Sequence, residues 1–131
     1  MTLTLPMPPE RIVAHPRARQ PAGQVALQRG PVVYCFEEAD NGPDLAAVLL
    51  PDRAAVTAEH RPRLLGGCTV LSAEGLREPA AAWGRDLYRS VDAVPAPEPC
   101  RLTAIPYALW ANRKPGEMRV WVRRAPGNGK M

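Results

Sequence analysis

Aromatic residues are scarce in this sequence: one Phe, three Trp and three Tyr make up 5% of 131 residues. A core has to rest mainly on Val, Leu, Ile and Ala. Cations are no better concentrated. Most of the 17 basic residues are Arg, scattered from Arg11 onward among 13 acids. A surface that tracks phosphates needs clustered cations with aromatic stacking platforms between them. The densest groups, Arg61-Pro62-Arg63 and Arg123-Arg124, contain no aromatic residue, so the net charge of +4 does not point to nucleic acid. Cysteine is limited to Cys35, Cys68 and Cys100, widely spaced and without a CxxC pair. An odd, dispersed set argues against a disulfide framework, and the short spacing of zinc ligands is missing. No stretch reaches ~18 apolar residues, and no charged segment leads into an apolar one at the N-terminus. No membrane partner is expected, and a cytoplasmic setting is the default.

Proline is what the sequence has in excess: sixteen of 131 residues, against an average of about 5%. Proline lacks the backbone donor that a helix interior needs, so little room is left for long helices. Between the prolines lie segments of strand length. The expectation is one all-β domain over residues 1–131, an antiparallel, jelly-roll-like β-sandwich. A long Pro/Ala-rich loop at 77–100 interrupts it, and a flexible tail at 125–131 follows it.

Thr2-Leu3-Thr4-Leu5 alternates as a strand does, with no turn ahead of it, which suggests that the chain opens in the middle of a fold. Arg11 to His15 is a second extended candidate, and Gln24 to Gln28 is ambiguous between strand and helical turn. Val32-Val33-Tyr34-Cys35-Phe36 is the clearest strand and reads as covered on both faces. Asp40 to Asp44 is a turn by its chemistry. Leu45 to Leu50 and Cys68 to Glu74 read as strands, and Ala54 to His60 as a weaker one with Val56 inward. Leu102 to Trp110 contains Pro106, which predicts an edge or bulged strand. Asn112 to Glu117 turns the chain, and Met118, Val120 and Val122 then alternate with Arg119, Trp121 and Arg123.

Three stretches carry a family likeness. The first is Leu5-Pro6-Met7-Pro8 with Val25-Ala26-Leu27-Gln28-Arg29-Gly30-Pro31-Val32-Val33-Tyr34-Cys35 and Asp40-Asn41. The second is Leu64-Leu65-Gly66-Gly67. The third runs from Leu102-Thr103-Ala104-Ile105-Pro106-Tyr107-Ala108-Leu109-Trp110 to Asn112-Arg113, with Gly116-Glu117-Met118 and Val120-Trp121 after it. In this order they resemble the C-terminal region of family 127 glycoside hydrolases, of the β-L-arabinofuranosidase type. The resemblance implies β-sandwich domains that follow a catalytic helical barrel. It also implies a nucleophilic cysteine beside a second cysteine, with a Glu and a further Cys around zinc. This chain has no Cys-Cys pair, so the likeness carries over a fold and a context but no catalytic, cofactor or metal residue. Cys35 fills a position that the family often fills with Cys, within a strand.

The remaining candidates favour structural roles. Glu37 and Glu38 look like a carboxylate pair for glycoside hydrolysis, which needs two carboxyls about 5 Å apart in retaining enzymes. Neighbours on a strand point to opposite faces, so a charged strand end is the better reading. Cys35, Cys68, Cys100 and His60 have the chemistry of metal ligands, and buried, inert thiols are favoured instead. His15 has no recognisable acid or nucleophile partner, and Ser72 and Ser90 lack a Gly-x-Ser-x-Gly elbow. Gly66-Gly67 suits a tight turn, and Asn112 and Arg113 suit the turn after Trp110. Tyr107, Trp110 and Trp121 are candidates for contact with a sugar or a partner, although so few aromatics favour core or inter-domain packing. The leading expectation is a non-catalytic accessory domain, and the alternative is a carbohydrate-binding module. Packing against a catalytic barrel, or a homo-oligomer through the opening strand or the face near Trp110 and Trp121, is expected.

Overall fold

Alternation and pairing together decide the architecture. The computed structural model describes residues 8–17, 22–110 and 116–125. The expected strand at Thr2–Leu5 and residues 126–131 of the expected tail lie outside them. Among the described residues nine strands occur in chain order: β1 (Pro9–Ile12), β2 (Gln24–Arg29), β3 (Val32–Glu37), β4 (Val48–Pro51), β5 (Val56–Arg61), β6 (Cys68–Arg77), β7 (Glu98–Pro106), β8 (Met118–Arg119) and β9 (Val122–Ala125). The one α-helical turn among the described residues, α1, spans Glu38–Asn41.

The fold is all-β, but it is not the expected antiparallel sandwich. Strands pair in the order β2-β9-β4-β6-β7-β3, and β3 pairs back to β2, so six strands close a ring. β1 adds to β2 and β5 to β6 outside that ring. Among the described residues all the pairings are antiparallel except one: β9 runs parallel to β4, with Leu49 opposite Arg123. The cause is visible in the β2–β3 hairpin. Its strands pair only near the turn, Arg29 with Val32 and Gln28 with Val33. At its open end β8 takes Phe36 and Glu37 of β3, while β9 takes Gln24 and Val25 of β2. The last strand therefore fills the mouth of the hairpin and joins it to β4.

Strand alternation then gives the ring an inside and an outside. Val25 and Leu27, Tyr34 and Phe36, Val48 and Leu50, Leu71 and Ala73, Leu102 and Ala104, and Val122 fill the interior. Residues of opposite parity, Cys35, Val70 and Ile105, form with Cys68 a second cluster against the outer wall. Leu64, Leu65, Leu109, Met118 and Val120 cover it.

Several local expectations change for physical reasons. Gln24–Arg29 resolves as strand. Val32 and Val33 are exposed, and β3 is covered only from Tyr34 onward. Leu45 to Ala47 forms a 3-10 turn before β4 begins, following Asp44 in the left-handed region. β7 is not an edge strand, since β6 and β3 flank it and Pro106 stands at its last position, opposite Tyr34. The long loop shrinks to 78–97, because β6 runs to Arg77 and β7 starts at Glu98. Leu65, Gly66 and Gly67 all have positive φ, and the Gly67 amide donates to the Leu64 carbonyl at 2.8 Å, a turn that delivers β6. Leu102, 1% exposed inside the barrel, is expected to cost about 2–5 kcal/mol as Leu102→Ala. Exposed Val13→Ala is expected to stay within about 0.5 kcal/mol. Urea denaturation with unchanged slope checks both.

Candidate functional site

The two ends of the barrel differ in what they expose. At the end holding the β2–β3 turn, β7 passes through Pro106 into a 3-10 turn, Tyr107–Leu109. Tyr107 and Trp110 are 43% and 42% exposed, and their rings stack with centroids 6.4 Å apart and planes 26° apart. Of the two packing roles expected of them, core or inter-domain, this exposure leaves the core one out. Trp121 lies apart from that turn in the link between β8 and β9, half-buried, its carbonyl accepting from the Arg119 Nε at 2.9 Å. The rings that reach the barrel interior are Tyr34 and Phe36. Burial raises the Tyr34 phenol above its ordinary range, and its hydroxyl donates to the Thr69 carbonyl at 2.8 Å.

The polar candidates are committed to holding strands. Glu37 is buried at the end of β3, where Glu38 opens α1. The Glu38 carboxylate accepts from the Glu117 amide at 2.9 Å, and the Glu38 amide donates to the Glu117 carbonyl at 2.9 Å. Gly116 lies so close to Glu38 that an added Cβ would meet its carboxylate oxygen at 2.8 Å. The Glu117 carboxylate in turn accepts from the Leu45 amide at 3.0 Å. These contacts give the Gly116-Glu117 pair of the family likeness a physical role as a latch that seats β8 on β3.

Asn41 performs a similar task by imitating a strand. Its Nδ2 donates to the Thr103 carbonyl at 2.9 Å and its Oδ1 accepts from the Thr103 amide at 2.8 Å. Nδ2 also donates to the Glu37 carbonyl at 3.0 Å. The side chain thus continues the β3–β7 ladder after the backbone of β3 has turned away. Arg77 holds the far side of the same turn, donating to the carbonyls of Asn41 and of Pro43, the latter at 2.7 Å.

The other sequence candidates are dispersed. Cys35 and Cys68 are buried in the outer cluster, whereas half-buried Cys100 packs on the barrel core. Burial raises the Cys100 thiol above its ordinary range, which keeps it protonated. The sequence reading passes over one Glu-x-Cys spacing, Glu98-Pro99-Cys100, at the start of β7. Among the described residues no three His, Cys, Asp or Glu gather to hold a metal ion. His60 is exposed on β5, and His15 Nδ1 accepts from the Arg17 amide at 3.1 Å. Ser72 is buried on β6, and the Ser90 hydroxyl accepts from the Asp92 amide at 3.3 Å. Asn112 and Arg113 lie outside the described residues. No helix among the described residues is long and apolar enough to cross a membrane.

With this geometry in place, known proteins give the chain its family. Residues 9–123 match the family described as the glycoside hydrolase family 127 C-terminal domain. The chain belongs to that family. Its similarity to the non-reducing end β-L-arabinofuranosidase of Bifidobacterium longum subsp. longum is 41% identity over 127 residues, 95% of this chain and 19% of the relative. Among solved structures it is similar to a GH127 β-L-arabinofuranosidase from Geobacillus stearothermophilus T6. The identity there is 50% and the TM-score 0.86, over 91% of this chain and 18% of that one. A second GH127 β-arabinofuranosidase matches at 29% identity and a TM-score of 0.75, over 91% and 17% of the two chains. The family 127 C-terminal domain described here therefore spans about a fifth of the length of the relatives it matches.

Two tests address the polar ties. Asn41→Ala leaves the Thr103 amide and carbonyl without their partner, and a loss of about 2–3 kcal/mol in unfolding free energy is expected. The second concerns Asp52, whose carboxyl is held below its ordinary range chiefly by the Arg124 guanidinium, bonded at 3.0 and 3.1 Å. A depressed folded pKa gives stability that is present above the unfolded value of about 3.9 and lost as pH falls from there through the lower folded value. Asp52→Asn is expected to flatten the acid limb of stability against pH below about 4, measured by thermal unfolding.

Proposed function

We propose that this domain is a non-catalytic accessory unit of a β-L-arabinofuranosidase-like glycoside hydrolase. It packs against a catalytic domain through the end that bears Tyr107 and Trp110, with Trp121 as a further contact. The observation that carries the reading is the match of residues 9–123 to a family defined as the C-terminal domain of such enzymes. Two features support it. The barrel is filled by apolar side chains, and Glu38, Asn41 and Glu117 are already committed to backbone groups. A stacked aromatic pair half in solvent, with Val32 and Val33 exposed at the same end, is the kind of apolar surface that finds a protein partner.

The purified chain is expected to release no aryl alcohol from aryl β-L-arabinofuranosides above the buffer rate. Turnover that survives substitution of Cys35, Cys68 and Cys100 together would sink the accessory reading. A saturable change in tryptophan fluorescence with arabinofuranose oligosaccharides, abolished by Trp110→Ala, would instead assign the aromatic pair to sugar binding.

A further inference from the structure

Trp83 is half-buried on loop 78–97, at the end of the 3-10 turn Ala80–Trp83. It borders a hollow of about 320 Å³ together with Ala47, Glu78, Asp86 and Leu87. A second hollow, of about 500 Å³, shares Ala47 and Glu78 with the first and extends along Ala81 to Asp44, Arg77 and Glu98. The two form one groove with an aromatic ring in its wall. The loop that shapes it is braced. Arg89 donates to the Asp86 carboxylate at 3.0 Å and to the carbonyls of Ala93 and Trp83 at 3.2 and 3.3 Å. Its guanidinium also lies over the Trp83 ring, 5.4 Å from the centroid, which steadies the plane of the indole. At the loop's base Arg123 donates to the Glu78 carboxylate at 2.5 and 3.3 Å, and the Glu78 amide donates to the Ala47 carbonyl at 2.9 Å.

Charge decides what such a groove can hold. Four carboxylates border it: Asp44, Glu78, Asp86 and Glu98. Arg123 neutralises Glu78, Arg89 neutralises Asp86, and Arg77 stands in the same wall. With charge so nearly balanced, a metal ion is not strongly drawn in. An anion gains little from Arg77, whose guanidinium already donates to the carbonyls of Asn41 and Pro43. The carboxylates, by contrast, keep acceptor capacity. The side chains of Asp44 and Glu98, and the second oxygen of Asp86, have no hydrogen-bond partner among the described residues. Ionised oxygens with free lone pairs, set beside an indole ring and small side chains, suit hydroxyl donors on an otherwise neutral molecule.

We propose that this groove binds a short neutral oligosaccharide. One sugar ring lies against Trp83 and donates hydroxyl protons to Asp86. The next lies along Ala81, within reach of Glu98. The Arg89 brace sets both the indole and Asp86 before a ligand arrives, so little ordering cost remains. The groove adjoins Glu98 at the start of β7, whereas Tyr107 follows the end of that strand. Failure of either reading therefore leaves the other standing.

The chain has three tryptophans, so proton–nitrogen NMR of the 131-residue protein reads three indole N–H signals separately. Titration with arabinotriose, xylotriose or cellotriose tests the site. With at least one of them the Trp83 signal is expected to move and saturate with a Kd of about 1 mM, while those of Trp110 and Trp121 stay in place. Trp83→Ala assigns the signal by its loss. Ala81→Phe, which fills the groove, and Glu98→Ala are each expected to raise Kd at least about fivefold. Both positions are exposed, and unchanged amide signals from the barrel interior separate lost binding from lost folding. A Trp83 signal that none of the three sugars moves at about 20 mM overturns the proposal. So does a shift that Ala81→Phe leaves as it was. Movement of the Trp110 signal alone also overturns it, as does a Trp83 shift produced by calcium chloride and not by sugar.

Discussion

Because Val122 pairs with Val25 while Arg123 pairs with Leu49, the last strand closes into a ring a sheet that would otherwise stay open. That sheet runs from the β1-β2-β3 meander through β7 and β6 to β4. An open sheet edge leaves a row of backbone donors and acceptors without partners, and a closed ring removes it. The parallel contact is short, three residue pairs, and is bolstered from the side chains. Arg123 grips Glu78 and Arg124 grips Asp52, which stand just beyond the ends of β6 and β4. The Asp52 amide adds a bond to the Ala125 carbonyl at 2.8 Å. Guanidinium pairs this exposed add little by charge alone. Their use here is geometric, since they hold β9 in register.

The narrow ring explains where the large side chains go. Six strands enclose only a side-chain-filled interior, so Leu, Val and Ala of alternating parity suffice, with Tyr34 and Phe36 as the bulkiest occupants. Trp residues are left to turns and loops. Trp110 stacks on Tyr107 at one end, and Trp83 supports Arg89 at the other. The opposite parity of β3, β6 and β7 still needs cover, and Leu64, Leu65, Leu109, Met118 and Val120 supply it from turns and from the last hairpin arm. A strand in this barrel can therefore be apolar on both sides without lying between two sheets.

The parts of this arrangement that were legible in the sequence are the local ones. Tyr34 to Phe36 and Cys68 to Glu74 announce strands because β-branched and aromatic residues run together there. Gly66-Gly67 announces its turn because few other residues tolerate that backbone. Ring closure was not legible, because it depends on pairing Gln24 with Arg123 across nearly the whole chain, and no short-range pattern encodes a partner that distant. Pro106 misled for a related reason: a proline costs a strand nothing at its final position, and position within a strand is set by its neighbours. For the site, the motif residues Asn41, Gly116 and Glu117 were visible as a family likeness, but their work as backbone surrogates needs coordinates. Aromatic scarcity left Tyr107 and Trp110 open between core and inter-domain packing, and ring diameter decides what the core can hold.

The late position of β9 has a consequence for synthesis. A chain made from its N-terminus completes β1 through β7 well before Val122 emerges. In that interval β4 lacks its parallel neighbour, and β2 lacks a partner at Gln24 and Val25. The nascent protein then has one open sheet with two sticky rims, and bringing Gln24 to Arg123 carries the loop-closure cost of a long intervening segment. Folding rate should track this non-local step, as it does in other proteins rich in distant contacts. Pro51, the last residue of β4 and the partner of Ala125, lacks an amide proton, so that unpaired rim offers one donor fewer until the final strand arrives.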